Sequence, residues 1–373
     1  MAERRIVISN FTIVIAVAIF LLLMLLWQLK SLLVVLMIAV VLASTLAPII
    51  QAGEKLNIPR WLAVILAYLG LISIITGIGL IIGPTVVKQI QRLASQFPSY
   101  LNDVEALVDN LAIRLGMTEP IISEMLNTQT LVSWSLRSSR ELLVRSYGVT
   151  RGILGGFFTI LLAVLLSAYM LAGSKMLIRG IVSLFPQPWD ERLEAQVIPV
   201  SRRMGGYIQG RVVVSAILAS TVAIGLGFLG LSDFAVGLGV IAGVTNLIPF
   251  FGPVLGSIPA LIVAIPQGGF TFLGVLLLFV VIQNLETYVL DPLLVGNSVK
   301  VPPLYQLLAV LGGVQVLGIV GALIVPPWVA GAAVVLENLY LKPKLLREKV
   351  GLPDSKLEEG KLGKQNQEVG FRT

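Results

Sequence analysis

Polar side chains that could bind an ion or a small solute cluster near the end of one long apolar segment of this sequence. Gln283 and Glu286 are three residues apart, so they share one face of a helix, and Asn284 lies between them. Asp291 follows shortly afterwards. A carboxylate inside or beside an apolar layer is costly unless it faces a cavity or a partner. Glu286 is therefore the first candidate for a proton or cation site, with Asn284 in support. The alternative is a Glu286 that water solvates at an interface.

A second polar group borders a turn that is rich in proline and glycine. Asn246 precedes Pro249, Gly252 and Pro253 within an otherwise apolar stretch. Unwound backbone groups at such a turn, together with the dipoles of the flanking helix ends, can hold an ion or a polar solute. The predicted substrate- and ion-binding residues are therefore Asn246, Pro249, Gly252, Pro253, Gln283, Asn284 and Glu286. Secondary candidates, for which an ordinary interfacial polar group is the alternative, are Thr245, Glu337 and Asn338.

The composition excludes several kinds of chemistry. The sequence has no cysteine and no histidine, which removes disulfides, thiolate nucleophiles, imidazole metal sites and histidine proton relays. It has no GxxxxGK[ST] phosphate loop and no recognisable pairing of a nucleophile with a base. We therefore expect neither an enzyme nor a bound metal or cofactor. Any proton or cation chemistry must use carboxylates, amides or backbone carbonyls.

The charge distribution indicates a lipid bilayer rather than nucleic acid as the surroundings of the chain. Charged residues make up 13% of the sequence and hydrophobic residues 56%, whereas a soluble protein carries about 25% charged residues. The net charge of +7 is spread over the segments that flank apolar stretches, unlike the basic face or stripe of a nucleic-acid-binding protein. No nucleic-acid partner is therefore expected.

Long stretches without Asp, Glu, Lys or Arg predict membrane-spanning helices, since about 20 apolar residues cross roughly 30 Å of hydrocarbon. The fold class is therefore predicted to be an all-α integral membrane protein. Six full spans are predicted at residues 11–28, 32–50, 61–84, 152–172, 207–230 and 270–290.

Two further apolar stretches are interrupted by glycine and proline, and they predict broken helices. As helix, residues 234–248 would reach only about 22 Å and residues 254–265 about 18 Å, which predicts a re-entrant hairpin with its tip at residues 249–253. The stretch from Val301 to Leu341 is similar, with an interruption predicted at Pro326-Pro327. Two such units would enter the membrane from opposite sides and form a transport core. The rival model has eight full spans.

An amphipathic region between the third and fourth spans, residues 88–151, is predicted to be helical from the spacing of its apolar residues. Pro98 is predicted to divide it into two helices. We interpret the region as a structural cap or an oligomer contact rather than as a ligand-binding domain.

Lysine and arginine in the short loops predict that both termini are cytoplasmic and that the amphipathic region is extracytoplasmic. The polar end of the chain predicts disorder. The expected organisation is a three-span bundle (1–87), the extracytoplasmic amphipathic region (88–151), the fourth span with a cytoplasmic elbow (152–206), the transport core (207–341) and a disordered cytoplasmic tail (342–373).

Several short motifs follow one another along the interrupted half of the chain: Gly206-Tyr-Ile-Gln-Gly210, Asn246-Leu-Ile-Pro249-Phe-Phe-Gly252-Pro253, Gln283-Asn-Leu-Glu286 and Val301-Pro302. In this order they resemble the autoinducer-2 exporter family, which includes the PerM-like permeases and has an IPxxGP signature. The resemblance covers roughly residues 10–345. It implies an oligomeric transporter of the inner or plasma membrane. Activities named in that family include export of the signal autoinducer-2 and sodium(lithium)/proton antiport.

The predicted function is secondary export of a small polar solute, such as a quorum-sensing signal, by a multi-pass homo-oligomer, with H+ or Na+ as a coupling ion. An uncharged, hydroxyl-rich signal would suit amides and backbone groups, whereas antiport would require a titrating carboxylate such as Glu286. The alternatives are a sodium(lithium)/proton antiporter of the same fold and a passive oligomeric channel. A non-transporting scaffold that works through residues 88–151 is a further rival.

Overall fold

The computed structural model describes residues 28–114, 146–296 and 302–350, together with Leu21, Met24 and Leu25. Over these residues the chain forms helices joined by short turns, without a strand, so the predicted all-α class is confirmed. The helices are α1 (Lys30–Lys55), α2 (Arg60–Arg114), α3 (Ser146–Ala172), α4 (Ser174–Val182), α5 (Trp189–Phe228), α6 (Ser232–Thr245), α7 (Phe251–Ala264), α8 (Gly269–Leu285), α9 (Pro303–Leu336) and α10 (Lys342–Val350). A 3₁₀ turn (Ile265–Gln267) precedes α8, and π-helical segments follow α8 (Glu286–Gly296) and α9 (Glu337–Leu341).

Six helical stretches in the described part of the chain have the length and apolar composition of a membrane span: Lys30–Lys55, Arg60–Tyr100, Gly155–Ala172, Trp189–Phe228, Gly269–Gly296 and Pro303–Leu346. The last of them contains a reversal at Gly318. The first five agree with the spans predicted at 32–50, 61–84, 152–172, 207–230 and 270–290. The span predicted at 11–28 lies mostly outside the described residues. The chain is therefore a multi-pass helical membrane protein.

Two sequence-based predictions about helix ends were wrong. α2 runs without interruption through Pro84 and Pro98 to Arg114, because a proline removes one backbone hydrogen bond and bends a helix, but complete turns on both sides can carry the helix through it. The rest of the amphipathic region, residues 115–145, lies outside the described residues. The predicted disordered tail begins too early, since Lys342–Val350 is helical; residues 351–373 are not among the described ones.

Helix α5 is the element on which the core is assembled. Small residues let other helices approach its backbone closely, as they do in many membrane proteins. Gly205 packs against the backbone of Ser44 in α1, and Gly210 packs against the backbone of Leu294. On the second half of α5, Gly239 of α6 lies against Ala223. The side chains of α5 that face these neighbours are buried, among them Val214, Leu218, Val222 and Leu226.

Helices α6 and α7 form the first predicted hairpin. Each has 14 residues and so reaches about 21 Å, short of a bilayer core. They run antiparallel, because Gly252 at the start of α7 packs on Thr245 at the end of α6 and Gly256 packs on Ala242 further back. The two outer ends of the hairpin meet again, since Asp233 and Gln267 line one polar cavity. The hairpin therefore returns to the end from which it started.

Helix α9 contains the second hairpin, and its break lies at Gly318 rather than at the predicted Pro326-Pro327. Gly318 has φ 64° and ψ −147°, a backbone conformation that glycine adopts readily and other residues rarely do. The chain reverses there, so that Gly313 and Gly321 pack backbone against backbone. The two prolines instead lie buried inside the second arm.

The two hairpins enter from opposite ends of α5. The second arm of α9 runs antiparallel to the first half of α5, since Gly331 packs against Met204 and Asn338 donates a hydrogen bond to Gln196 at 2.7 Å. The first hairpin begins just after the last residue of α5, Phe228. This arrangement agrees with the predicted opposite entry of the two units.

The contact between Gly313 and Gly321 provides a direct test of the second hairpin. A Cβ atom at Gly313 would overlap the carbonyl of Gly321, whereas one at the adjacent Gly312 would meet no atom within 4 Å. We expect Gly313→Ala to destabilise the protein by about 1–3 kcal/mol through overpacking. Gly312→Ala should be neutral or stabilising by about 0.5–1 kcal/mol. Melting temperatures of the two purified variants check this, and equal values would contradict the observed reversal.

Candidate functional site

Arg211 of α5 forms the centre of a buried polar cluster. Arg211 is 5% exposed. Its Nη1 atom donates to Glu286 Oε1 at 2.9 Å and to Asp291 Oδ1 at 3.3 Å, and its Nη2 atom donates to Asn246 Oδ1 at 3.3 Å. One guanidinium thus connects α5, the tip of the first hairpin and the π-helical segment Glu286–Gly296. We call these four residues the Arg211 cluster.

The positions of these residues along their helices place their side chains at similar distances from one end of the protein. Arg211 lies about 25 Å along α5 from its end at Phe228, and Glu286 lies about 25 Å along α8 from its start at Gly269. These two helix ends are at the same end of the protein, where Gly274 packs against Leu229. Asn246 follows α6, which starts at that end and reaches about 21 Å. The Arg211 cluster therefore forms about 21–25 Å from that end of the protein, where α6 and α8 end beside α5.

The π-helical segment explains why one arginine binds two carboxylates. Residues five apart in an α-helix point in directions that differ by about 140°. A π-helix has wider turns, with hydrogen bonds between residues i and i+5, so Asp291 comes back to nearly the same side as Glu286. Both carboxylates then face Arg211. Short π segments occur often at functional sites.

The cluster has unused hydrogen-bonding capacity. Buried polar atoms are nearly always paired. In the part of the chain that the structure describes, the fully buried side-chain atoms without a partner are Tyr207 Oη, Arg211 Nε, Ser215 Oγ, Asn246 Nδ2 and Glu286 Oε2. Tyr207, Arg211 and Ser215 are four residues apart and share one face of α5. All these atoms therefore belong to the Arg211 cluster or to its immediate neighbours.

The formal charges of the cluster do not balance. One guanidinium faces two carboxylates, of which Glu286 has a side chain that is 4% exposed and Asp291 one that is 41% exposed. A buried charge is costly unless it is paired. The cluster therefore has one formal negative charge in excess, and of its two carboxylates only that of Asp291 reaches solvent to a large extent.

A cavity of about 270 Å³ adjoins the cluster. Its polar wall includes Asn246, Gln283, Asn284 and Glu286, and Pro253 of the hairpin tip also borders it. The remaining wall is mainly apolar and comes from α5, α7 and α8. A concave, mostly apolar site with a few convergent polar groups is the usual form of a small-molecule site. Five of the seven predicted site residues thus surround one cavity.

The other two predicted residues shape the hairpin tip instead of lining the cavity. Gly252 lies against the backbone of Thr245 and Asn246, where any side chain would overlap. The carbonyl of Pro249 accepts a hydrogen bond from the Phe251 amide at 2.8 Å. Phe250, between them, has φ 67°, which is rare for a bulky residue and occurs where surrounding structure imposes it. The tip is therefore a fixed support for Asn246.

The secondary candidates lie elsewhere or are already paired. The Thr245 hydroxyl donates to carbonyls of its own helix, at 2.9 Å to Ile241 and 3.0 Å to Ala242. Glu337 pairs with Arg203 and Lys342, away from the cavity. Asn338 bonds to Gln196. None of the three belongs to the Arg211 cluster.

Arg211 itself was missing from the predicted site residues. Arg211 lies inside the span predicted at residues 207–230, directly before the charge-free stretch that begins at Val212. One signal was available: Tyr207, Arg211 and Ser215 recur every four residues along an otherwise apolar helix. Such a stripe indicates a polar face that looks into the protein rather than an end at the membrane surface.

Over most of its length the chain matches a transporter family model and proteins that are named as transport proteins. A family model described as "AI-2E family transporter" matches residues 13–352. "Putative transport protein YrrI" of Bacillus subtilis (strain 168) is 26% identical, over 84% of this chain and 90% of that protein. "Putative transport protein YueF" of the same organism is 27% identical, over 87% and 86%. A "Sodium-lithium/proton antiporter" of Halobacillus andaensis is 21% identical, over 78% and 85%.

Proposed function

The chain belongs to the AI-2E transporter family, and we propose that it is a secondary transporter that binds a small solute at the tip of the first hairpin. One observation carries this proposal. The Arg211 cluster, buried and incompletely hydrogen-bonded, opens onto a cavity between the hairpin and α8. Short helices that end at a binding site near the middle of the protein are typical of secondary transporters.

Coupling to H+ or Na+ is the second part of the proposal. The unbalanced carboxylate of the Arg211 cluster supports it, because one added cation would neutralise the site. The relative from Halobacillus andaensis, named as a sodium-lithium/proton antiporter, supports the same chemistry. Antiport of a cation alone is therefore the second candidate function.

The family membership supports outward transport of a small polar cargo, such as a quorum-sensing signal, as the form that this activity takes. We further propose a homo-oligomer in the inner or plasma membrane with both termini in the cytoplasm. The charge pattern of the loops supports that orientation.

A flux measurement tests the proposal as a whole. The purified chain, reconstituted into lipid vesicles, is given proton, sodium or potential gradients, and uptake of labelled small solutes and of Na+ is followed. We expect uptake that saturates with solute concentration and that depends on one imposed ion gradient. Uptake that rises linearly without saturation would instead indicate a passive channel. Equal uptake in protein-free vesicles would contradict any transport by this chain.

A further inference from the structure

The two π-helical segments are related by sequence. Glu286 opens the first, and Leu290, Asp291 and Pro292 follow it at positions four to six. Glu337 opens the second, and Leu341, Lys342 and Pro343 follow at the same spacing. A glycine with positive φ precedes each glutamate at the bend before its helix, Gly268 in the first case and Gly318 in the second. The two segments are thus internal counterparts.

Each of the two glutamates binds an arginine of α5. Arg211 lies 2.9 Å from Glu286 Oε1, and Arg203 lies 3.3 Å from Glu337 Oε2. Arg203 and Arg211 are about two helical turns apart and share one face of α5. The same ion pair therefore occurs twice along one helix, and the two copies can be compared atom by atom.

The copies differ in their second cation. In the second copy, both oxygens of Glu337 have a positive partner, because the Lys342 ammonium lies 3.5 Å from Oε1 while Arg203 holds Oε2. The same ammonium donates to Asn338 Oδ1 at 2.8 Å. In the first copy, the position that corresponds to Lys342 is occupied by Asp291. The Oε2 atom of Glu286 is buried there without a hydrogen-bond partner. The second copy thus shows that an ammonium group can pair with the carboxylate oxygen that the arginine leaves free.

We propose that Glu286 Oε2 binds the primary ammonium group of a small amphipathic amine, whose apolar part occupies the adjoining cavity. This inference rests on the proposed function and names the class of solute that the same site takes. The ammonium would replace, from outside the chain, the contact that Lys342 makes to Glu337. It would also balance the formal charge of the Arg211 cluster.

The cavity has the shape and chemistry that such a ligand requires. Glu286 and the side-chain amides of Asn246 and Gln283 line it, whereas the guanidinium of Arg211 does not. A ligand in the cavity therefore meets the carboxylate of Glu286 and the amides of Gln283 and Asn284. Both amide nitrogens donate within their own helix, so the amide oxygens and the carboxylate are the groups that can accept hydrogen bonds from an ammonium. The lining also includes Val222, Phe279 and other apolar side chains. An apolar group gains free energy by leaving water there, whereas a bare alkali ion would leave this wall unused.

Binding of a matched pair of probes tests the inference. 2-Phenylethylammonium and the neutral 2-phenylethanol are titrated into the purified full-length chain, and the rise in melting temperature with concentration gives an apparent Kd. We expect the amine to bind at least about tenfold more tightly than the alcohol, because a charge-assisted hydrogen bond is lost in the alcohol. Glu286→Gln should remove that preference, and Glu337→Gln should retain it.

A second variant keeps the inference testable if Glu286→Gln fails to fold. Leu276 lines the cavity. Leu276→Trp leaves every charge in place, but the larger side chain would occupy part of the cavity, so amine binding should weaken by about tenfold. Equal affinity for amine and alcohol, an unchanged amine preference in Glu286→Gln, or an unchanged amine affinity in Leu276→Trp would overturn the inference.

The binding and flux measurements together distinguish a wrong ligand from a wrong transport function. If gradient-driven flux of another solute persists while the amine shows no preference, only the identity of the ligand is wrong. If the amine binds through Glu286 but no solute crosses the vesicle membrane, the site is confirmed and the transport proposal is wrong.

Discussion

Replacement of Glu286 by glutamine is expected to abolish ion-coupled transport, lowering the gradient-dependent part of the flux to the level of protein-free vesicles. The substitution keeps the size of the side chain and a hydrogen-bond acceptor for Arg211, but it removes the buried negative charge that would attract a coupling cation. Arg211 would then be balanced by Asp291 alone, so the site would have no net charge to offer. The measurement is initial uptake under an imposed proton or sodium gradient.

Glu337→Gln is the matched control for this prediction. It removes a carboxylate from the same kind of π-helical segment, with the same kind of arginine partner. Glu337 lies outside the cavity that Glu286 lines, so coupled flux should persist. If Glu286→Gln keeps full coupling, its assigned role is wrong. If both variants lose coupling equally, the loss reflects packing against α5 rather than the charge of the binding site.

Replacement of Arg211 by glutamine is expected to have the largest effect on stability. It leaves Glu286 buried, with a side chain 4% exposed and no cation beside it. Removing one partner from a buried ion pair typically costs about 3–5 kcal/mol. Glu286→Gln should cost much less, because Arg211 keeps Asp291 and Asn246 as partners. We therefore expect the two assays to give different results: both variants lose transport, but only Arg211→Gln loses most of its stability.

The double variant Arg211→Gln/Glu286→Gln checks the physical reason. The double variant has no buried carboxylate that needs the guanidinium as a partner, so the loss of Arg211 costs less free energy of folding. The double variant should therefore be more stable than Arg211→Gln alone. Melting temperature in detergent, together with the midpoint of denaturant unfolding, measures this difference. A double variant that is as unstable as the single one would show that Arg211 contributes through packing rather than charge. Transport should not recover, because the carboxylate remains absent.

The spans and the first hairpin were predictable because they depend on local properties of the sequence. A long apolar run must form a helix in lipid, where each backbone group needs a partner within its own segment. The 14-residue helices α6 and α7 correspond to the short helical stretches predicted at residues 234–248 and 254–265, which the turn at residues 249–253 separates. The position of the second bend did not follow in the same way. Proline and glycine were both present, and only packing decided that Gly318 bends while Pro326 and Pro327 remain in helix.

The sequence by itself determined that this chain is a multi-pass helical membrane protein, for which composition and helix length suffice. It also made Asn246 and Glu286 candidate binding residues, because both are polar residues in apolar stretches. Only the tertiary structure decided that Arg211 joins those two residues, since they come from segments far apart in the chain. It also decided that Asp291 turns toward the same arginine, because that depends on a π-helical turn rather than on an α-helical one. Local sequence patterns determine which segments are apolar and where helices can break, whereas the partner of a buried charge depends on how separate helices pack side by side.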